Sequence, residues 1–478
     1  MNKYFLLLFV TLSTCFPVLS LAAEVTQEPQ PIDLTYHWVG FAAIAIFVVA
    51  YILAMFEEVT ELRKSKPMVL AASLIWVCIA IIYVNHGMGE MAGKFFRSGL
   101  ESFVELFLFI MVSMAYLNAM EDRGVFENLR VWLLSKNFSY RQLLWITGTM
   151  SFFLSSVCNN LTTALLMGTV LMAVGKESKR FITAACVNVV VATNAGGSFS
   201  PFGDITTLLV WQKGVVPFTS FYSLFIPAVV NFILPAAIMH FFIPKEQPTE
   251  SAEKPVIKRG AKTIIALFLL TVITAVCFEN FLDLPPAGGM LMGLTYLKFF
   301  SYYMQKTPKK LNGDQENLAV DDDGVPELID APSFDVFEKV AHLEWDTLLF
   351  FYGVILSVAG LSFIGYLGLA SNFLYGDIPP TVANILVGVF SAFIDNGTIM
   401  YAVLTMHPDI SQGQWLLVTL TAGVGGSLLA IGSAAGVGLM GQAKGIYTFS
   451  THLKWMPVIL IGYFGSIAVH FWLNSRYF

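Results

Sequence analysis

Apolar runs of about 20 residues recur along nearly the whole chain of 478 residues. That is the length a helix needs to cross a hydrocarbon core about 30 Å thick. Composition agrees: 56 % of residues are hydrophobic and only 13 % charged, against about 25 % charged in soluble proteins. The chain therefore reads as an all-α polytopic membrane protein, with the lipid bilayer as its first partner. A net charge of −6 gives no reason to expect nucleic acid.

The N-terminus reads as a signal peptide, residues 1–22, with Lys3 at its basic end and Ser20-Leu21-Ala22 as the cleavage site. An uncleaved first helix is the other reading. Whole spans are expected at 37–56, 67–86, 103–120, 219–243, 261–281, 285–304, 346–364 and 454–473. Two further spans, 181–213 and 414–442, are interrupted by glycine and polar residues, and a short interfacial helix is expected at 125–136. The segments 141–174 and 380–406 are apolar but carry a polar break near the middle. A linker at 244–260 and an acidic loop at 305–345 are polar.

Basic residues orient these segments, because cytoplasmic loops are enriched in Lys and Arg. Let 141–174 and 380–406 be re-entrant hairpins and let the mature N-terminus lie outside. The inside loops then collect most of the basic residues, among them Arg63, Lys64, Arg123, Lys179, Lys258, Lys306 and Lys454. Only Lys94, Arg97, Lys213 and Arg476 fall outside. Fully crossing hairpins would place basic loops outside instead.

The two polar breaks align. Ser155 to Thr162 (SSVCNNLT) lies over Ser391 to Thr398 (SAFIDNGT), and downstream Gly196-Gly197-Ser198 lies over Gly425-Gly426-Ser427, with Gly203 over Gly432. Each half, 37–243 and 261–473, thus carries a hairpin tip followed by a glycine-broken helix. With five spans per half, the second copy enters the membrane inverted, the plan of many secondary transporters. Non-helical backbone at membrane depth is tolerated only when buried in protein or lining a wet cavity. The oxygens found at these breaks suit a small alkali cation.

The stretches NNLTTALLMG (159–168), NAGGSFSPFGDITTLLVWQKG (194–214), FIDNGTIM (393–400), GSAAGVGLMGQAKG (432–445) and THLKW (451–455) resemble the NhaD-type sodium/proton antiporters of the ion-transporter superfamily. The resemblance implies a bacterial inner-membrane secondary transporter, not an enzyme and without cofactor. Such a protein exports Na⁺, and often Li⁺, in exchange for H⁺. It also implies a homodimer with a scaffold and an elevator-like transport region. In one respect the chain departs from the family: its first tip reads Asn159-Asn160 where Asp-Asn is usual.

Asp395 is the leading site residue, since an intramembrane carboxylate is costly and functional by default. It can hold either H⁺ or Na⁺; capping the following helix is its structural alternative. Asp204, after the first glycine break, is a second carboxylate and an equally good helix cap. Asn159, Asn160, Thr162, Asn396 and Thr398 are candidate ligands or tip-shaping groups, and Asn194, Ser198 and Ser427 are weaker ones. The expected Na⁺ ligands are Asp395, Asn396, Asn159 and Asn160. Histidines are expected at surfaces or interfaces. A sodium-coupled symporter of a dicarboxylate shares the architecture, but the two aspartates would repel an anionic substrate; transport of an oxyanion or arsenite is a weaker alternative that stays open. A passive channel is the third alternative.

Overall fold

The computed structural model describes residues 31–478 except 56, 135–137, 176–177, 247–257, 308–317, 321–325, 329–340 and 342. The signal-peptide reading and Asp321-Asp322-Asp323 lie outside the described residues. The molecule is built from helices; two three-residue strands, Leu318–Val320 and Pro326–Leu328, pair antiparallel within the acidic loop.

Among the described residues, seven helices are long and apolar enough to cross a membrane: Trp38–Met55, Ser65–Asn85, Gly89–Asp122, Phe218–Phe242, Ala261–Leu282, Trp345–Phe363 and Met456–Tyr477. The third runs for 34 residues, well beyond the expected 103–120. Its extra turns carry Glu90, Lys94 and Arg97, and an exposed ion pair between Glu90 and Lys94 at 3.7 Å supports the first of them. Pro286–Lys306 was expected as an eighth span. It is a continuous helix of 21 residues, but glycines, tyrosines and Lys298 lower its hydropathy. The glycines have a packing role. A Cβ on Gly289 would lie 2.5 Å from the Ala275 backbone, and one on Gly293 would lie 2.0 Å from the Thr271 side chain. This small-residue seam lets Pro286–Lys306 approach Ala261–Leu282 closely. Tyr116 ties the seam to a third helix by donating to the Gly293 carbonyl (2.7 Å) and accepting from Thr271 (3.0 Å).

The two helix-break-helix segments follow. Tyr140–Ser155 and Asn160–Val174 have 16 and 15 residues; Pro380–Phe390 and Asn396–Met406 have 11 each. At about 1.5 Å per residue, each leg falls short of the roughly 30 Å needed to span. The expected broken spans also appear. Lys179–Gly197 stops at the first glycine pair and resumes as Ile205–Gln212; Gln412–Gly425 stops at the second pair and resumes as Ala434–Gln442.

Matching glycines in the two halves admit matching carbonyls. A Cβ on Gly196 would meet the Phe152 carbonyl oxygen at 2.0 Å, and one on Gly425 would meet the Gly388 carbonyl oxygen at 2.0 Å. Gly203 sits over Ser155-Ser156 and Gly432 over Ala392 in the same way. Each broken helix is thus seated on the leg that leads to its tip. Large exposed apolar side chains, such as Phe241, Phe281 and Trp472, lie on the outside of the bundle, while Asn160, Asn194, Asp204 and Asn396 are buried at or beside the breaks.

Candidate functional site

Both tips end in the same local chemistry. At the first, Asn159 is the N-cap of Asn160–Val174 and its side-chain oxygen accepts from the Thr162 N–H at 2.7 Å. At the second, Asp395 caps Asn396–Met406 and accepts from the Thr398 N–H at 3.3 Å. Each cap satisfies one of the free N–H groups at a helix start. The residue after each cap is an asparagine, and in both it points inward: Asn160 is 8 % exposed and Asn396 4 %.

These two asparagines meet on one carboxylate. Asn160 Nδ2 donates to Asp204 Oδ2 at 2.8 Å. Asn396 Nδ2 donates to Asp204 Oδ2 at 3.0 Å and Oδ1 at 3.3 Å. Asp204 is also the N-cap of Ile205–Gln212, with Oδ1 accepting from the Thr206 N–H at 3.3 Å. The capping role and the site role therefore coincide in one side chain. Ser155 Oγ fixes the Asn160 carboxamide by donating to Oδ1 at 2.5 Å, so Nδ2 faces Asp204.

A second link joins the broken helices. Asn194 Nδ2 donates to the Val190 carbonyl (2.9 Å) and to Ser433 Oγ (3.0 Å), while its Oδ1 receives Asn160 Nδ2 at 3.3 Å. Ser433 caps Ala434–Gln442. It stands in the second half where Asp204 stands in the first, directly after Gly432 as Asp204 follows Gly203. The equivalence of Gly203 and Gly432 in the sequence was the signal that points to it.

The polar groups line a cavity of about 110 Å³ whose walls include Asn159, Asn160, Asp204, Asp395, Asn396 and Ser433. Glu344 and Thr347, at the start of Trp345–Phe363, close another wall. Asp204 and Asp395 stand in one another's field. Tyr51 reaches the second tip, its hydroxyl oxygen accepting the Asp395 N–H at 2.8 Å. The Thr398 hydroxyl is buried with no hydrogen-bond partner.

Of the residues singled out in the sequence, Asp204, Asp395, Asn159, Asn160, Asn194 and Asn396 converge here. Thr162 supplies its N–H to the first tip. Ser198 and Ser427 turn away: each donates within its own helix, to Ala195 O (2.8 Å) and Val424 O (2.6 Å). Tyr51, Glu344 and Ser433 were not anticipated. Nor was the burial of two histidines expected at surfaces. His452 and His470 are both fully buried, each with a backbone carbonyl as partner. His452 Nε2 lies 2.9 Å from the Ser427 carbonyl in the second break and Nδ1 lies 2.6 Å from the Tyr447 hydroxyl. His470 Nε2 lies 3.1 Å from the Gly413 carbonyl.

Among the described residues no group of three His, Cys, Asp or Glu side chains has metal-binding geometry. The oxygen donors at the two breaks are the carboxylates of Asp204 and Asp395, carboxamides and hydroxyls, with the Glu344 carboxylate on another wall; this hard oxygen chemistry suits an alkali cation or a proton.

Comparison with known proteins adds four findings. Residues 29–423 match the family model described as citrate transporter. The chain is 56 % identical over 458 residues to the Na(+)/H(+) antiporter NhaD of Alkalimonas amylolytica, covering 94 % of this chain and 93 % of that one. It is 50 % identical over 468 residues to the Na(+)/H(+) antiporter NhaD of Vibrio cholerae, covering 97 % and 98 %. A more distant relative, sodium/proton antiporter 1 of Arabidopsis thaliana, is 29 % identical over 489 residues.

Proposed function

Because the chain belongs to the NhaD family of Na⁺/H⁺ antiporters and is a multi-pass secondary transporter of Na⁺ and H⁺, we propose that Asp395 is the carboxylate that takes the two ions in turn. Asp204 and the tip asparagines form the frame around it. The observation that carries this reading is the convergence of both tips on Asp204 in a cavity that Asp395 also lines.

The physical argument is one of charge. An unpaired carboxylate in a low-dielectric setting is costly. Either Na⁺ or H⁺ on Asp395 removes that cost, and both cannot occupy the same oxygens. Binding one ion therefore displaces the other, the minimum chemistry of exchange. Asp204 is already held by two carboxamides and a backbone N–H, which spread its charge, so Asp395 is the freer of the two. The unpartnered Thr398 hydroxyl beside it supplies a further oxygen for Na⁺. Asn159, Asn160 and Asn396 act mainly through the cap and through Asp204, their carboxamide oxygens being engaged by Thr162, Ser155 and Gly397.

The matched glycine seats and caps of the two halves support an inverted repeat of five spans, with 141–174 and 380–406 as re-entrant hairpins. The basic loops support a bacterial inner-membrane protein with its mature N-terminus outside. Li⁺ follows Na⁺ as a substrate by its charge and oxygen preference, and a homodimer is the expected assembly. Transport of citrate, as the description of the broad family model would suggest, fits poorly with the carboxylates of Asp204, Asp395 and Glu344 lining the cavity.

The test is Asp395→Asn, which keeps the shape of the cap but removes the titrating charge. In everted vesicles carrying a proton gradient, added Na⁺ should dissipate the gradient with the wild type and not with the variant, at matched membrane abundance. Near-normal exchange by Asp395→Asn would move the ion-carrying role to another group.

A further inference from the structure

Beyond the inner cavity lies a second chamber of about 370 Å³, and Asp395 and Ser433 belong to the walls of both. The outer chamber is also lined by Tyr51, Glu57, Lys64 and Phe350. Lys64 immediately precedes the helix Ser65–Asn85, on the face assigned to the cytoplasm by its neighbours Arg63 and Lys66. Its Nζ lies 5.0 Å from the centroid of the Phe350 ring, a cation–π distance. No carboxylate pins it: among the described residues Lys64 makes no ion pair within 4.0 Å. Its field nevertheless acts on Asp395, Glu57 and Glu344. Burial raises the Glu57 and Glu344 carboxyls above their ordinary range, and the Lys64 ammonium pulls both back.

A lysine ammonium is a compact point charge on a flexible four-carbon stem. In this chamber it is a monovalent cation that cannot leave. We propose that Lys64 is an affinity-setting residue of the exchange, a tethered cation that competes with Na⁺ and H⁺ for Asp395 from the cytoplasmic side. The proposal rests on the reading of Asp395 as the exchanging group.

The consequence is specific because Na⁺ and H⁺ carry the same charge. Neutralising Lys64 strengthens the binding of both by a similar factor. At alkaline pH, where few protons compete, the Na⁺ concentration for half-maximal exchange falls. At acid pH, Na⁺ must displace H⁺, both affinities have risen together, and half-saturation stays where it was. The pH at which protons begin to inhibit Na⁺ uptake moves upward. The expected factor is roughly tenfold, about 1.4 kcal/mol of charge–charge interaction between the ammonium and the carboxylate site. Other charged groups face Lys64. Arg63 and Glu57 belong to its own connection. Glu344 and Asp346 come from the start of Trp345–Phe363, with Asp346 held by the Ser65 hydroxyl. Asp204 and the Tyr51 hydroxyl act on Asp395 itself. All of these remain in the variant, so the change reports Lys64 alone.

The experiment measures the Na⁺ dependence of proton movement in everted vesicles over a pH series, for the wild type, Lys64→Gln, Lys64→Met and Lys64→Arg. The expected result is a roughly tenfold lower half-saturating Na⁺ for Gln and Met at the alkaline end, none at the acid end, and near wild-type curves for Arg. The proposal is overturned by unchanged curves in both neutral variants, or by a change of equal size at every pH. It is also overturned by an equal effect in Lys64→Arg, the mark of lost packing. Asp395→Asn run alongside separates the two readings. If it still exchanges, the assignment of Asp395 fails and takes this proposal with it. If it is inactive while the neutral Lys64 variants keep wild-type curves, the Lys64 proposal fails alone.

Discussion

Replacing Asp204 by asparagine tests the idea that one carboxylate gathers both halves of the molecule. In the native arrangement Oδ2 accepts from Asn160 at 2.8 Å and Asn396 at 3.0 Å, and Oδ1 accepts from Thr206 N–H and, at 3.3 Å, from Asn396. An asparagine has one oxygen for these donors. If that oxygen keeps the helix cap, its own NH₂ points at two other NH₂ groups. If it turns inward, the cap is lost. A hydrogen bond to a charged group contributes about 1.5–3 kcal/mol. Losing the two tip bonds therefore costs roughly 3–6 kcal/mol if the cavity does not relax. At about 1.4 kcal/mol per factor of ten, that is a loss of about two to four powers of ten in occupancy of the assembled site. The expected outcome for Asp204→Asn is normal insertion with Na⁺-driven proton movement lost in everted vesicles. Removing one donor as well, in Asp204→Asn/Asn396→Ala, should cost less than the two single effects combined, because the donor-donor conflict disappears. Exchange within about threefold of the wild type in Asp204→Asn would refute the reasoning. The tips would then be held together by packing, with Asp204 no more than a cap.

Two other perturbations follow from the same geometry. His452→Leu leaves the Ser427 carbonyl and the Tyr447 hydroxyl buried without a partner, at about 1–3 kcal/mol each; the midpoint of thermal aggregation in detergent should fall, with part of the loss recovered by His452→Gln, and an unmoved midpoint would show that the second break does not depend on His452. Asn159→Asp keeps the cap but adds a fourth carboxylate to the cavity wall, beside Asp204, Asp395 and Glu344; the expected effect is one more proton exchanged per Na⁺, read from the ion gradients at which flux reverses in proteoliposomes, and an unchanged ratio would contradict it.

The breaks were legible in the sequence because their chemistry is local. A glycine pair, or a cap residue followed by asparagine, inside an apolar run cannot continue as lipid-exposed helix. What surrounds the breaks was less legible. Sequence weighed Asp395 above Asp204 because capping seemed to explain Asp204. The structure shows that capping leaves an oxygen free for two donors from elsewhere in the chain, a contact no local pattern encodes. Tyr51, Lys64 and Glu344 come from helices without a polar break, and each resembles an ordinary residue at the end of a span. His452 and His470 were expected at surfaces or interfaces because they fall near helix ends or in loops. Their burial depends on partners distant in sequence, the Ser427 carbonyl in the second break for His452 and the Gly413 carbonyl for His470, which become visible only when the chain is folded. Pro286–Lys306 makes the converse point: Gly289 and Gly293 lower its hydropathy while providing the seam on which it packs.

The distribution of charge between the halves deserves the last step of reasoning. The two caps are equivalent positions, and one is Asp395, the other Asn159. The two residues that restart the broken helices are also equivalent, and one is Asp204, the other Ser433. In each pair a single member carries a carboxylate, and the two carboxylates come from opposite halves. A fully symmetric site would put four negative charges, or none, around about 110 Å³. Four would leave a cavity that no single cation could neutralise; none would give Na⁺ and H⁺ nothing to compete for. On the reading proposed for Asp395, one carboxylate from each half lets Asp204 be neutralised in part by fixed carboxamide dipoles while Asp395 is left to an ion. On that reading the same backbone plan divides into a permanent electrostatic frame and one exchangeable position, and of the two aspartates it is Asp395 that opens onto the outer chamber holding Lys64.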